Sequence, residues 1–174
     1  MIFIVFVKYS ITRFNISNCP YVTSWQSYWT DQRKIRYNRA ALAIGLIFSV
    51  ALTGVVSFQY SNAPWAHMVF ASIYFIGGMV YICLQTILDL NVHANPGRVM
   101  TIRVIICALC ILFFLPYFIL QFFTSAINQD MSALFEILCA VTQFIYFVSY
   151  YYEFDQFKMK IDFHYSQPER QNLL

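Results

Sequence analysis

The sequence predicts an all-α protein, a polytopic transmembrane helical bundle with four full spans plus a partial N-terminal span. Three observations carry that prediction. Of the 174 residues, 60% are hydrophobic, 20% aromatic and only 11% charged, far less charge than a soluble domain needs to cover its surface. The apolar residues fall in blocks of about 20, the length a helix needs to cross the hydrocarbon. Between the blocks lie short, turn-forming stretches; the longest polar stretch, Lys8 to Arg39, is too short for a soluble domain.

The elements follow in order. The opening MIFIVFV is apolar but only seven residues long, too short to span. It lacks the charged start and small-residue cleavage site of a signal peptide, so residues 1–13 read as the remnant of a span. Residues 14–39 read as a cytosolic basic segment. Residues 40–152 hold the four-span bundle, with spans at Ala41–Gln59, Ala66–Leu88, Ile102–Phe123 and Ser132–Tyr152. QYSNAPW turns at Asn62 and Pro64, NVHANPGR turns at Pro96-Gly97, and TSAINQDM is polar; these are tight turns of a bundle. Pro116 lies within the third span and bends it or removes one backbone bond. Residues 153–174 read as a cytosolic tail.

Charge orients the bundle. Lys8, Arg13, Arg33, Lys34, Arg36 and Arg39 precede the first full span, Arg98 and Arg103 flank the second turn, and Lys158, Lys160 and Arg170 follow the last span. The first and third turns hold no Lys or Arg. With four spans, all the basic residues fall on one side, which the positive-inside rule makes cytosolic. The net charge of +3 is then a matter of topology and gives no reason to expect nucleic acid as a partner. Asn15-Ile16-Ser17 matches a glycosylation sequon, but on this topology it faces the cytosol and is expected unmodified.

The cysteines are placed for packing. Cys83, Cys107, Cys110 and Cys139 lie in spans and Cys19 in the basic segment, so no structural disulfide is implied. Cys107-x-x-Cys110 has redox or zinc spacing, yet it sits mid-span with no second pair, which suits small packing residues. Cys19 reads as a free cytosolic thiol, with palmitoylation as the alternative.

The polar residues inside the spans are ordered. In HMVFASIYFIGGMVYICLQTILDL, His67, Ala71, Tyr74, Gly78, Tyr81 and Gln85 follow steps of four and three and share one helical face. Val69, Phe70, Ile73, Ile76, Val80, Ile82 and Ile87 cover the other faces and suit lipid. The polar face is expected to point into the bundle, where hydrogen-bond partners offset desolvation. In the preceding span Ala41, Gly45, Ser49, Thr53 and Ser57 recur every four residues, a helix-packing stripe that drifts about 40° per step and so follows a crossed neighbour. In the last span Glu136, Ala140, Gln143, Phe147 and Tyr150 share a face. Glu136 and His67 both lie near the lumenal ends of their spans. His67, Tyr74, Tyr81, Gln85, Glu136 and Gln143 are therefore the candidate polar cluster, with Glu136 and His67 meeting in its lumenal half. Its role is left open between a helix clamp and a lipid-headgroup or proton-sensitive site.

Catalysis is not expected. His93 and His164 lie on the side opposite His67, so histidines cannot assemble a zinc site there. No nucleophile-elbow sequence or phosphate-binding loop occurs. No cofactor or metal is implied.

These residues resemble a known family, the damage-regulated autophagy modulators (DRAM) and their wider superfamily. Its signature, a His at a span start, then Ala, Gly, Tyr and a Gln-Ser/Thr pair, is similar to His67, Ala71, Gly78, Tyr81, Gln85 and Thr86. The next span opens with Ile-Arg and has a mid-span proline, as do Ile102-Arg103 and Pro116. The last carries a Glu and a terminal Asp-Phe, where this chain has Glu136 and Glu153-Phe154. The resemblance runs from Ala40 to Ile161. Family members have six spans, so the chain reads as an N-terminally short version. The departures are Met68 and Phe70, where small or polar residues are usual.

The resemblance implies a multi-pass protein of lysosomal or endosomal membranes that promotes or regulates autophagy without enzymatic chemistry. Other branches imply a plasma-membrane scaffold for phosphoinositide synthesis, for which the basic run Arg33–Arg39 would favour anionic lipid, or remodelling of lipids and GPI anchors. The tail ends Glu169-Arg170-Gln171-Asn172-Leu173-Leu174. An acid at Glu169 before Leu173-Leu174 has the form of a sorting motif read by clathrin adaptors, which makes those adaptors, beside the lipid bilayer, the expected partners.

Overall fold

The computed structural model describes residues 1–18, 29–92, 97–123 and 125–155. Among these residues the chain is helical throughout, with no strand. The helices are α1 (Ile2–Asn18), α2 (Asp31–Ser57), α3 (Pro64–Val92), α4 (Gly97–Leu120), α5 (Ala126–Val148) and the short α6 (Tyr151–Phe154). Four segments, Asp31–Ser57, Pro64–Val92, Gly97–Leu120 and Ile127–Phe154, are long and apolar enough to cross a membrane. The protein is a polytopic α-helical membrane protein.

The helices outrun the apolar blocks. Hydropathy marks where lipid begins, whereas a helix ends only where a breaker or cap stops it. No Gly or Pro interrupts 31–44, so α2 starts at Asp31 and carries the basic run Arg33–Arg39 as a helical extension. Likewise α1 continues past Arg13 to Asn18, and the Asn15-Ile16-Ser17 sequon is helical. α5 starts after Ser125, whose hydroxyl accepts the Asn128 amide, an N-cap that satisfies one unpaired donor.

The last span is not one continuous helix. At Ser149 and Tyr150 the backbone tightens: the amides bond to carbonyls three residues back, Tyr146 and Phe147. Ser149 Oγ donates to the Tyr146 carbonyl at 2.6 Å. This change of pitch turns Glu153 inward.

α3 is the central helix. It packs on α2 along most of its length and also touches α1, α4 and α5, while α4 pairs with α5. α1 runs antiparallel to α2: Val5 faces Gly45, and Asn38 Nδ2 donates to the Tyr9 carbonyl at 3.0 Å. The central position explains a departure from the lipid-facing set. Val69, Ile73, Ile76 and Ile87 are exposed, but Ile82 is 0% exposed, because neighbours cover α3 on more than one face. Phe70 is also partly covered, its ring stacking on Phe58 with centroids 5.5 Å apart.

Glycine seats fix the α2–α3 contact. A Cβ on Gly45 would lie 2.5 Å from Val5 Cγ1 and 2.9 Å from Tyr81. One on Gly54 would enter the Phe70 ring, and one on Gly77 would lie 3.0 Å from Phe48 Cβ. Each helix thus inserts aromatic rings where the other lacks a side chain. Without a hydrophobic drive between helices in lipid, such close packing supplies the association energy. The predicted stripe is buried at Ala41, Gly45 and Ser49 but exposed at Thr53 and Ser57. The step of four drifts off the seam, and Ala51 and Gly54, spaced nearer the true helical period, take over. Phe48, Tyr81 and Phe147, with centroids 5.3–5.8 Å apart, then tie α2, α3 and α5 into one core.

Candidate functional site

The face of α3 that carries His67, Tyr74, Tyr81 and Gln85 does point into the protein. Tyr74, Gly78, Tyr81 and Gln85 are buried and His67 is half-buried. On α5, Gln143 is buried and Glu136 half-buried. The six residues do not form one site. From His67 to Gln85 the helix rises about 27 Å, so the set is distributed along the bundle axis.

At the end formed by the α2–α3 and α4–α5 links, His67 and Glu136 line the same cavity. It encloses about 730 Å³ and is walled by Tyr60, Trp65, Tyr117 and Ser132 among others. His67 is fixed by its Nδ1, 2.7 Å from the Phe58 carbonyl. A carbonyl only accepts, so Nδ1 carries the proton and Nε2 is the ring atom left for the cavity. Ser132 is held between Gln121 Nε2, 3.2 Å away, and the Tyr117 carbonyl at 3.5 Å. Glu136 has no hydrogen bond or ion pair among the described residues. It faces the cavity without closing on His67.

Midway along the axis, Gln143 packs against Gly78, where a Cβ would lie 2.5 Å from its Oε1. Its Nε2 reaches the Phe75 carbonyl at 3.5 Å. Tyr74 OH, Gln85 Oε1 and Gln143 Oε1 are buried without a hydrogen-bond partner among the described residues. On the α3 face, then, Tyr74 OH and Gln85 Oε1 do not meet the partner expected of a group pointing into the bundle, and on α5 Gln143 Oε1 is a third such atom.

At the opposite, basic end lies a site the sequence reading missed. Lys8 of α1, Asp89 of α3, Arg103 of α4 and Glu153 of α6 form a closed ring of ion pairs. Lys8 Nζ donates to Asp89 Oδ1 at 2.7 Å and to both Glu153 oxygens at 2.8 Å. Arg103 Nη1 donates to Asp89 Oδ2 at 2.6 Å and to Glu153 Oε1. Arg103 also reaches Ser149, through Nε to the hydroxyl at 3.0 Å and Nη2 to the carbonyl at 3.1 Å. Both cations lie over the Tyr150 ring, Lys8 at 5.2 Å and Arg103 at 4.9 Å. All four charged side chains are buried and Arg103 is 0% exposed. Two cations balance two anions, so the cluster is neutral and its members satisfy one another.

A signal for this site was present. Asp89 continues the α3 polar face one step beyond Gln85, and a charge at that position in a buried seam requires a partner. Lys8 and Arg103 also stand where the positive-inside rule alone accounts for a charge, so their pairing carries no separate signal in the sequence. The mid-span cysteines sit on the same axis: Cys83 and Cys107 face each other across α3 and α4 with sulfurs 3.8 Å apart, and Cys110 and Cys139 are fully buried. Glu169, Leu173 and Leu174 of the tail, like Cys19, lie outside the described residues.

The profile of the Frag1/DRAM/Sfk1/Cwh43P N-terminal domain matches residues 1–157. The match takes in the whole described bundle, including α1 and the Lys8–Asp89–Arg103–Glu153 ring. No curated protein and no solved structure matches the chain. On the extent of that profile match, with four apolar helices long enough to span a membrane, the chain belongs to the Frag1/DRAM/Sfk1 family of membrane proteins.

Proposed function

We propose that the protein is a multi-pass component of endosomal or lysosomal membranes that promotes or regulates autophagy without enzymatic chemistry of its own. The observation that carries this reading is the family match over residues 1–157. The sequence signature around His67–Thr86, which resembles that of the autophagy modulators and their wider superfamily, supports it. The tail Glu169…Leu173-Leu174 supports endolysosomal delivery through clathrin adaptors. In the proposed topology the basic end faces the cytosol and the links at 58–63 and 121–125 face the lumen.

The test is microscopy of the full chain tagged at its N-terminus, beside Leu173→Ala/Leu174→Ala, with autophagic flux measured in cells lacking the protein and in cells re-expressing it. Lysosomal signal and flux that falls on removal and returns on re-expression support the reading. Surface signal for both forms, with unchanged flux, overturns it.

One observation favours a second reading. The helical extension of α2 presents Arg36 and Arg39 as exposed side chains, with Arg33 seated on the Trp29 ring at 4.8 Å. A rigid basic ridge at the membrane surface suits anionic lipid and a plasma-membrane scaffold for phosphoinositide synthesis. Surface signal in the same experiment is the outcome that selects it.

A further inference from the structure

The cavity lined by His67 and Glu136 has the composition of a cation-headgroup site. At about 730 Å³ it falls within the usual range for small-molecule pockets, about 300–1,000 Å³. Its one formal charge is the Glu136 carboxylate, which makes no ion pair among the described residues. The links at this end contain no Lys or Arg. Four aromatic rings, Tyr60, Trp65, Tyr117 and Phe123, line the same space. A carboxylate with aromatic faces is the chemistry that recognises an ammonium group, through charge attraction and the negative face of each ring.

The position selects an amphiphile. The cavity lies at the ends of α3, α4 and α5, at the level where a membrane meets water. Trp65 is 86% exposed on its rim, beside exposed Phe123, the placement expected of interfacial aromatics. A headgroup can enter here while its acyl chains stay in the bilayer. The wall also offers a hydrogen-bonding side: Ser132 is held in place by Gln121 and Tyr117, and His67 turns Nε2 away from its anchored Nδ1.

We propose that this cavity binds the headgroup of a phospholipid bearing an ammonium group, with Glu136 and the rings of Tyr60, Trp65 and Tyr117 holding the ammonium. Lipid on that site belongs to the leaflet opposite the basic end. The assignment does not depend on which compartment holds the protein.

The experiment is native mass spectrometry of the full chain carrying Arg36→Gln/Arg39→Gln, so that the exposed basic ridge does not itself hold anionic lipid, released from detergent containing equal amounts of phosphatidylcholine and phosphatidylglycerol, which share a phosphate but differ in the ammonium. The expected result is phosphatidylcholine adducts in excess over phosphatidylglycerol by about tenfold, the scale of one desolvated cation–π or charge contact. Glu136→Gln, which keeps the shape and removes the charge, brings the ratio near one. Trp65→Ala, at a ring largely outside the packed interior, lowers it partway, and serves as the test should Glu136→Gln fail to fold. Free choline is added in a separate arm. Equal retention of both lipids with the cavity residues intact in this background overturns the proposal. So does a preference that survives both substitutions. Choline binding without any lipid preference overturns the lipid assignment in favour of a soluble amine.

Discussion

Arg103 is the most buried cation among the described residues, and its neighbourhood shows how a membrane protein keeps charge inside. Its fork spans two carboxylates from different helices and a serine besides. A lysine has a compact ammonium and could not make these contacts together. Arg103→Lys is therefore expected to lower the midpoint of thermal unfolding in detergent despite conserving charge. Lys8→Met leaves the ring with one excess anion; breaking a buried pair this way costs about 3–5 kcal/mol. Lys8→Met/Asp89→Asn restores neutrality, so the double variant is expected to melt above the single one. If the double variant melts below the single one, neutrality is not what holds the ring together. These residues also show where sequence reading stops. Lys8 and Asp89 are 81 positions apart and Lys8 and Glu153 are 145 apart. Only the fold of four helices brings them within bonding distance, and each alone reads as an ordinary charge at a span end.

At the scale of elements, α3 is legible, and α1 in part: the partial N-terminal span is a helix, but it runs on past residue 13 to Asn18. Spacings of four and three around His67–Gln85 identify a buried face because helical period is a local property. α1 has 17 residues, and its apolar start alone cannot say whether it packs as a helix. Its attachment is set by the Val5–Gly45 and Tyr9–Asn38 contacts and by Lys8. The packing stripe on α2 was legible for its first half only, since a fixed step of four departs from 3.6 residues per turn. The glycine seats give a direct test of this interface. Gly45→Val drives a side chain into Val5 and Tyr81 and is expected to cost about 1–3 kcal/mol by overpacking. Gly97→Ala meets nothing within 4 Å and is expected to change stability by no more than about 0.5 kcal/mol. Thermal melts of the two variants side by side check both, and equal losses would mean that the α2–α3 seam is not tightly fitted.

For the whole molecule, span number follows from composition, because bilayer thickness imposes a length that no soluble helix must obey. Orientation follows from where Lys and Arg stand. It is checked with a membrane-impermeant maleimide on intact organelles that enclose the lumen. In a Cys19→Ser background, which removes the native thiol of the basic segment, Arg98→Cys, at the basic end, is expected to label at once, and Asn62→Cys, in the α2–α3 link, only after permeabilisation; the reverse pattern inverts the proposed topology. The distribution of the six predicted polar residues could not be read in the same way, since a shared helical face does not say at what depth each group finds a partner.

The bundle is also asymmetric along its axis. The cavity between Trp65 and Glu136 opens at one end, and beneath it lie the tightly buried rings of Tyr74, Tyr81, Phe147, Tyr146 and Tyr150, then the ring of ion pairs. This arrangement is a well with a floor. Among the described residues these packed rings stand between the cavity and the ion pairs, so an occupant of the well is expected to exchange at the end formed by the α2–α3 and α4–α5 links rather than at the basic end.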